Sequence, residues 1–537
     1  MLLSSLSMLW KLFGLVLLMI LALQHVEAAA ADSLGVLVHL DSNVSKPIPP
    51  NFASFSVEVF GMQWWTSVYP KPTRLSFVNL ILQLNNYTRG PLLPMHRRIF
   101  RIGGISADTS VYNPHLNLTI PDTLGLITYN ISDADILGMD RAMEAVDGQI
   151  IVGLNFRLAH DPTWPLRHVQ AIDRLVGWRR VFALEIGNEV SFYPGGDRPR
   201  GWTFANYSAE WGNYVNTFYK QVPSLPNPFF QGLACFGSEW LPYYAPFIDQ
   251  YQDVLLTVSH HFYPESHSNP VNVTYLPKLH KLMTEGDARE ESQVVAPTVD
   301  ELSRKYPAVP FVIGEGNSVS GHGQLNVSTT FGACLWAVHE MMNDISVGVY
   351  SWQFHNNVLE DFTLSSYTAF IYQDLDSDVP TVMPLYYAMR FVTETTSNHA
   401  RMVRVDLNTT NPLIHAFAFQ QDGLRRERAE VRVIILHKDY NATAPASISV
   451  TLKGQQAPYA TGRSIVLRAD SIFSNFGLTY AGQTYDGSKD GLPNGQFHSI
   501  RVPADSSGTY QLFVEPASAT LLTVPLSAAD ASTTVSE

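Results

Sequence analysis

The sequence predicts an α/β protein in which a (β/α)8 barrel is followed by an antiparallel β-sandwich. Two observations support this prediction. Eight short and nearly continuous apolar runs alternate with helix-like segments over roughly 300 residues, which is typical of the buried parallel strands of a barrel. After about residue 400, short runs of alternating polarity are separated by Gly, Pro, Asn and Asp, which is typical of a sandwich.

The candidate barrel strands are rich in β-branched and aromatic residues. They are FASFSVEV (52–59), IFRIGG (99–104), IIVGLNF (150–156), VFALEIGNE (181–189), FFQGLACFG (229–237), VLLTVSHHFY (254–263), PFVIGEGNS (310–318) and VGVYSWQFH (347–355). The clearest helix-like segments between them are 210–222, 294–306 and 330–344. The candidate sandwich strands are MVRVDL, LIHAFAF, EVRVIILH, ASISVTL, RSIVLRA and TYQLFV.

The chain is predicted to divide into five parts. An apolar run follows Lys11 and leads into small residues, which indicates a cleaved signal peptide, with an uncleaved anchor as the alternative. The early strand GVLVHLD (35–41) alternates like the sandwich strands, so we expect it to join the sandwich. The predicted parts are a signal peptide (1–28), an N-terminal strand (29–50), the barrel (51–398), the sandwich (399–525) and a flexible tail (526–537).

Composition and charge exclude several classes of partner. The 537 residues are 46% hydrophobic and only 15% charged, as in a well-buried globular protein. The formal net charge of −13 argues against nucleic acid and against an anionic membrane surface as partners. We therefore expect a protein that binds neither, and the predicted signal peptide indicates that it is secreted and extracellular.

Glycosylation signals agree with secretion. Asn-x-Ser/Thr sequons, which accept N-linked glycans in the secretory pathway, begin at Asn43, Asn86, Asn117, Asn130, Asn206, Asn272, Asn326, Asn408 and Asn441. Cys235 and Cys334 fall on non-adjacent predicted elements, so we expect two buried free thiols.

Two glutamates are predicted at the carboxyl ends of barrel strands. Glu189 follows Asn188 at the end of the fourth strand, and Glu315 ends the seventh. Catalytic groups of a (β/α)8 barrel lie at these strand ends, and strands four and seven face each other across the barrel mouth. The two side chains can therefore converge although they are far apart in the chain.

Two converging carboxyl groups suit the hydrolysis of a glycosidic bond. One of them, when protonated, donates a proton to the departing oxygen, and the other attacks the anomeric carbon or activates a water. The amide of Asn188 can bind a sugar hydroxyl beside the reacting carbon. A glutamate at a buried strand end is also often half of a structural ion pair, and we assign such a role to Glu185, deeper in the same strand.

Beyond the Asn-Glu pair, four segments resemble glycoside hydrolase family 79, which contains β-glucuronidases and heparanases. They are RIGGISAD (101–108), LEIGNE (184–189), HHFYP (260–264) and VIGEGNSVSGHG (312–323). The likeness covers most of the mature chain and is closest to the fungal-type members. It implies a retaining hydrolase that releases terminal β-linked glucuronic acid, with tolerance of the 4-O-methyl form left open.

An endo-acting, heparanase-like enzyme and a non-catalytic carbohydrate-binding module are the alternatives. A heparan chain is densely anionic, and a protein with a net charge of −13 and scattered Lys and Arg suits it poorly. A non-catalytic module would be expected to lack one carboxylate, whereas both glutamates are present. The carbohydrate partner expected from the resemblance is therefore a glucuronide.

The resemblance also implies roles for single residues. Glu189 corresponds to the acid/base and Glu315 to the nucleophile. Tyr263, at the end of strand six, matches the tyrosine that hydrogen-bonds the nucleophile, with a core or rim aromatic as the alternative. Asp108 fits a ligand for distal sugar hydroxyls, although an Asp in such a turn also often caps a helix.

The segment SVSGHGQ (318–324) resembles the loop in which family members hold the uronate carboxylate with backbone N–H groups. Gly321 and Gly323 would let the backbone approach closely, and successive amides form an anion-binding nest. His322 lies between them, and whether its side chain contributes is left open. Tyr367 is a weaker candidate for the same carboxylate, and a plain glycine loop is the alternative.

No cofactor and no metal site are predicted. His339-Glu340 begins like a zinc-protease motif, but Asn343 stands where the second histidine would be needed. His260-His261 has no third ligand at metal spacing nearby. We expect these two histidines to belong to strand six, with one of them lining the site.

Overall fold

The structure is a computed structural model that describes residues 34–85, 96–114, 127–158, 161–267, 275–358, 366–421 and 429–526. The predicted signal peptide (1–28) and residues 527–537 of the predicted tail lie outside the described residues. So do the sequons at Asn86, Asn117 and Asn272. Among the described residues, no helix is long and apolar enough to cross a membrane.

Eight parallel strands close into a barrel, as predicted. In chain order they are Ala53–Glu58, Ile99–Gly103, Gln149–Leu154, Val181–Ile186, Phe230–Phe236, Leu255–Phe262, Phe311–Gly316 and Trp352–Asn356. We number these barrel strands one to eight. Each corresponds to a predicted strand, and almost every residue in them is buried, as their continuous apolar character requires. The fold-class prediction is confirmed.

The eighth barrel strand begins five residues later than predicted. The preceding helix, Phe331–Val347, continues through the first predicted strand residue. Gly348, with φ of 96°, then ends the helix, and its N–H donates to the carbonyl of Asp344. A glycine in this left-handed conformation is the usual way to stop a helix, so the chain needs a further turn before Trp352 can pair.

Helices surround the barrel. The α-helices are Met62–Thr66, Leu75–Asn85, Ile105–Asp108, Asp133–Val146, Thr163–Leu175, Phe204–Gln221, Tyr244–Tyr251, Tyr275–Met283, Glu285–Lys305, Phe331–Val347 and Pro384–Thr395. Short 3-10 helices span Val59–Gly61, Val190–Phe192 and Ser238–Tyr243. The helix starting at Asp133 shows why such segments begin where they do: Ser132 and Asp135 form a reciprocal capping box that satisfies backbone N–H groups at its first turn.

Ten strands form a second, predominantly antiparallel sheet. They are Leu34–Asn43, Arg401–Asn408, Ile414–Gln421, Glu430–His437, Ala446–Lys453, Gly462–Arg468, Thr479–Tyr480, Ile500–Val502, Thr509–Val514 and Ser518–Pro525. The first of them, from the N-terminal part of the chain, lies between the strands that begin at Arg401 and Ala446. Two small two-stranded sheets complete the described fold: Ser110–Tyr112 with Tyr129–Ile131, and Phe370–Tyr372 with Pro380–Val382.

The strand Glu430–His437 contributes side chains to the cores of both domains. Along the strand Glu430–His437, Val433 and Ile435 belong to the sandwich core, whereas Ile434 and Leu436 belong to the barrel core. Successive side chains of a strand point to opposite faces, so a strand that is apolar on both faces serves two cores. The barrel is therefore held against the sandwich by a continuous apolar contact.

Candidate active site

A turn after the fourth barrel strand presents Glu189. The strand ends at Ile186, three residues before the predicted end. Gly187 has φ of 84° and Glu189 has φ of 47°, so the chain turns away from the strand direction. A Cβ on Gly187 would lie 2.8 Å from a methyl group of Val190, which leaves room only for glycine. The acid is thus held by a constrained turn, in a conformation uncommon for a side-chain-bearing residue.

Glu315 lies inside the seventh barrel strand and is 6% exposed. Its Oε1 accepts a hydrogen bond of 2.8 Å from the hydroxyl of Tyr263, which directly follows strand six. Its Oε2 accepts one of 2.6 Å from Nη1 of Arg101. Both oxygens therefore have donors that favour the ionised form.

The structure brings the two glutamates together. Carboxylate oxygens of Glu189 and Glu315 and a ring nitrogen of His261 all lie within 4.8 Å of one another. Nδ1 of His261 lies 3.4 Å from Oε1 of Glu189 and 3.9 Å from Oε2 of Glu315. Of the two predicted strand-six histidines, His261 therefore faces the carboxyl pair, whereas His260 packs against Tyr244.

The surroundings push the pKa values of the two carboxyls apart. Burial raises the pKa of Glu189 well above its ordinary value, and the nearby charge of Glu315 raises it further. Burial alone would also raise the pKa of Glu315, but His355, Arg101 and the Tyr263 hydrogen bond outweigh it, so this pKa is lowered. At neutral pH one carboxyl is protonated and its neighbour is ionised.

Among the residues around Glu315, Arg101 is the one that stays positively charged over the widest pH range. Burial lowers the pKa of His261 to about 3, so this ring is neutral at physiological pH and contributes no full charge. Burial also disfavours charge on His355, but Glu315 and Glu58 outweigh it and raise its pKa. The arginine is fully buried and stays protonated.

Sequence reasoning did not single out Arg101 as a functional residue. In the second barrel strand it donates to Glu185 at 2.6 Å, to Glu315 at 2.6 Å and to Oδ1 of Asn188 at 2.8 Å. Glu185 is fully buried and also accepts from Gln231 at 2.6 Å, which fits the structural role expected for it. The available signal was a charged residue in the middle of an otherwise apolar strand.

Asp108 holds the turn that carries the acid. Its Oδ2 accepts from the backbone N–H of Asn188 at 3.0 Å and from the hydroxyl of Tyr193, and its Oδ1 accepts from the N–H of Phe156 at 2.9 Å. Burial raises its pKa to about 6. Both oxygens thus have partners within the protein, and the carboxyl is 3% exposed. Contact with a distal sugar hydroxyl stays a prediction.

The loop after strand seven packs against Tyr367. Gly321, His322 and Gly323 have φ of 64°, 80° and 78°. A Cβ on Gly323 would lie 2.8 Å from the backbone nitrogen of Tyr367, so the loop lies directly against this tyrosine. The Tyr367 ring in turn stacks on Tyr263, with centroids 6.4 Å apart. Tyr367 therefore lies beside the tyrosine that hydrogen-bonds Glu315, and the predicted loop residues pack against Tyr367, while their binding role stays a prediction.

A third carboxylate was also not anticipated. Glu58 ends the first barrel strand and accepts from the backbone N–H of Ser106 at 2.9 Å. Its Oε1 lies 3.5 Å from Nε2 of His355, whose Nδ1 lies 3.8 Å from Glu315. His355 thus lies between two carboxylates. The role of His355 was only weakly indicated by the sequence, because a histidine in an apolar strand is more often a core residue.

The Glu189, His261 and Glu315 atoms are close enough for a metal ion by distance alone. The donor arrangement suits a different use. Glu315 already accepts from Arg101 and Tyr263, so a dication there would face the guanidinium at close range. The arrangement fits a protonated carboxyl beside an ionised one better than a metal centre.

Two fungal proteins are similar to this chain in sequence. The chain is 23% identical over 335 residues to a β-glucuronidase of Aspergillus niger, covering 58% of this chain and 60% of that protein. It is 22% identical over 516 residues to a β-glucuronidase of Neurospora crassa, covering 84% and 88%. The chain is a relative of fungal β-glucuronidases. The predicted likeness to β-glucuronidases, and with it to glycoside hydrolases, is confirmed.

Solved structures share the fold of this β-glucuronidase relative. A 4-O-α-L-rhamnosyl-β-D-glucuronidase from Fusarium oxysporum matches with a TM-score of 0.71 and 18% identity, covering 91% of this chain and all of that one. A GH51 arabinofuranosidase from Xanthomonas axonopodis matches with a TM-score of 0.63 and 13% identity, covering 92% and 99%. No family model matches the sequence.

Proposed function

We propose that the protein is a retaining β-glucuronidase, which releases terminal β-linked glucuronic acid from glycans or glycosides. The observation that carries the proposal is the pair Glu189 and Glu315, with opposite pKa shifts and carboxylate oxygens within 4.8 Å. Retaining glycosidases hold their carboxyls about 5–5.5 Å apart, whereas inverting ones need about 6.5–9.5 Å to admit a water. The short separation supports a double displacement.

In this mechanism Glu315 attacks the anomeric carbon while Glu189 donates its proton to the departing oxygen. The hydrogen bonds from Arg101 and Tyr263 keep the attacking carboxylate ionised and oriented. A glycosyl ester on Glu315 results, and Glu189, now ionised, takes a proton from the water that cleaves it. In this proposal the amide of Asn188, whose Oδ1 accepts a hydrogen bond from Arg101, binds the hydroxyl next to the reacting carbon.

Recognition of the uronate is assigned to the loop at Gly321–Gly323 and to Tyr367. A protein of net charge −13 does not attract an anionic sugar by its overall field. Backbone N–H groups of a glycine-rich loop can bind a carboxylate without a basic side chain. His322 stays in place through contact of its Nδ1 with the Asn357 amide at 2.6 Å.

The test compares three substrates. The protein should hydrolyse p-nitrophenyl β-glucuronide, with at least 100-fold lower kcat/KM on the β-glucoside, which corresponds to about 3 kcal/mol. Early product NMR should show the β-anomer of glucuronic acid. Release of the α-anomer would refute the role of Glu315 as nucleophile. Cleavage of heparan sulfate into oligosaccharides in place of glucuronide hydrolysis would favour an endo-acting enzyme.

We also propose that the protein is secreted and N-glycosylated. Sequons beginning at Asn43, Asn206, Asn326, Asn408 and Asn441 are exposed in the described structure. Exposure is what the modification requires, because the glycan is bulky and must stay in solvent. Expression in a secreting host, followed by a mass shift on removal of N-glycans, tests this proposal. A protein retained in the cells without such a shift would refute it.

A further inference from the structure

A histidine after strand six contacts the loop that is proposed to bind the uronate. Nδ1 of His267 lies 2.8 Å from the carbonyl oxygen of Gly323. A carbonyl oxygen can only accept, so Nδ1 carries a proton and donates it in this hydrogen bond. Cβ of the same histidine lies 3.2 Å from the position that a Cβ on Gly321 would take. His267 therefore contacts both glycines of the loop, and the reaction described above does not use it.

The backbone just before His267 runs beside the same loop. Glu265 forms a parallel β-bridge with Val319, and its carbonyl accepts from the N–H of Ser320 at 2.8 Å. The carboxylate of Glu265 in turn lies 2.7 Å from Nζ of Lys281, on the helix that follows. The segment after strand six and the loop after strand seven are thus joined at two points, the bridge at Glu265 and the side chain of His267.

The loop needs this support because its backbone is strained. Gly321, His322 and Gly323 are three successive residues in the left-handed region, with φ of 64°, 80° and 78°. A residue with a side chain adopts this conformation rarely, and the conformation persists only where the surrounding structure holds it. The carbonyl of His322 accepts from the N–H of Ser366 at 3.1 Å. Together with the bond from His267, two successive carbonyls of the loop are therefore held.

Holding these carbonyls also sets the direction of the loop amides. The C=O and N–H of a trans peptide point in opposite directions, and the carbonyl of His322 shares its peptide with the N–H of Gly323. Burial raises the pKa of Tyr367, and the backbone N–H of His322, as a hydrogen-bond donor, acts against that rise. Tyr367 stacks on the tyrosine that hydrogen-bonds Glu315. The amides that His267 helps to hold therefore adjoin residues that contact the proposed nucleophile.

We propose that His267 is a positioning residue for uronate recognition, which holds the loop Gly321–Gly323 in the conformation whose N–H groups bind the carboxylate of the sugar. It acts through the carbonyl of Gly323 and not on the reacting bond. This inference rests on the proposed glucuronidase activity and names a residue on which its specificity depends. Because the carboxylate is bound in the ground state as well as in the transition state, loss of His267 should raise KM and leave kcat nearly unchanged.

The test measures KM and kcat of His267→Ala on p-nitrophenyl β-glucuronide and on the β-glucoside. Loss of the hydrogen bond should raise KM for the glucuronide about tenfold and KM for the glucoside less than about twofold. His267→Asn keeps an N–H donor at the place of Nδ1 and should restore most of the affinity, whereas His267→Gln, whose N–H lies one bond further out, should not. His498→Ala is the matched control, because this exposed histidine also packs on a left-handed glycine, Gly482, beside the second sheet.

Each other outcome has a defined meaning. Equal losses on both substrates, a fall in kcat at unchanged KM, or an Asn variant that behaves like His267→Ala would overturn the role in uronate recognition. If the wild-type protein hydrolyses neither substrate, the proposed function fails, and hydrogen exchange of the loop amides with and without sodium glucuronate tests the inference without catalysis. Glucuronate should slow this exchange in the wild-type protein but not in His267→Ala. Equal exchange in the two proteins would overturn the inference.

Discussion

Replacing Glu315 with Gln should lower the pKa of Glu189. Burial raises the pKa of Glu189 first, and the negative charge of Glu315 adds to the effect. The variant removes that charge while it keeps the size of the side chain and a hydrogen-bonding group. A negative neighbour disfavours loss of a proton, so its removal favours the ionised form of Glu189.

The separation of the two groups sets the size of this effect. The nearest carboxylate oxygens of the two groups are at most 4.8 Å apart. At that upper limit, and at an effective dielectric constant of about 20, two charges interact by about 3.5 kcal/mol, equivalent to about 2.5 pH units. Glu189 has 25% of its side chain exposed, so solvent screens part of the interaction. We therefore expect the pKa of Glu189 to fall by about 1 to 2 pH units in the variant.

A 13C NMR titration of the glutamate-labelled variant measures this pKa. The signal of Glu189 is identified because it disappears when the second substitution Glu189→Gln is introduced into the same variant. In the wild-type protein the alkaline limb of kcat/KM reports the same group, because activity declines as pH rises through the pKa of the acid. Glu301→Gln, on a surface helix, should leave that limb in place. A Glu189 pKa that does not fall would refute the coupling and the assignment of roles.

Three further variants test other parts of the site and the fold. Gly323→Val places a side chain against the backbone of Tyr367 at a residue with φ of 78°. It should lower kcat/KM on the glucuronide about tenfold more than on the glucoside. Equal losses on both substrates would show that this loop contributes only to stability. Arg101→Met leaves Glu185 buried without its counter-charge. The free energy of unfolding, measured in urea, should therefore fall by about 3–5 kcal/mol. Unchanged stability would contradict the ion pair between Arg101 and Glu185. Burial lowers the pKa of His168 to about 4, so the unfolded chain takes up a proton first as pH falls from 6.5 to 4. Stability should fall over this window by about 1.4 kcal/mol per pH unit because of this group, and His168→Asn should flatten the slope whereas the exposed His498→Asn should not.

The eight barrel strands were predictable because each is a short buried run bounded by turn residues. The convergence of Glu189 and Glu315 followed from the strand count, since a closed barrel fixes which strand ends face each other. The backbone conformation around Glu189 did not follow from the strand count. The strand ends at Ile186, three residues before its expected end, and the chain then turns at Gly187. The positive φ of Gly187 and its close contact with Val190 are not revealed by any local pattern.

The charged residues around the two carboxyls were harder to predict from the sequence. Arg101 joins partners from the fourth and seventh strands, Glu185 and Glu315, far apart in the chain. His355 gains its raised pKa from Glu58 and Glu315, again on different strands. Apolar periodicity predicts which residues are buried but not which buried polar groups meet. Such pairings depend on register across the closed barrel, which only three-dimensional coordinates supply.

The placement of the strand Leu34–Asn43 has a consequence for biosynthesis. It pairs with Arg401–Asn408 on one side and with Ala446–Lys453 on the other, so the whole barrel is inserted between this strand and its partners. At about 5–20 residues per second, a ribosome needs roughly 20–70 s to make the chain between this strand and Arg401. Throughout that interval the strand has open edges on both sides, and such edges invite pairing with other chains. The emerging N-terminus is therefore the point at which a chaperone would protect this protein during translation.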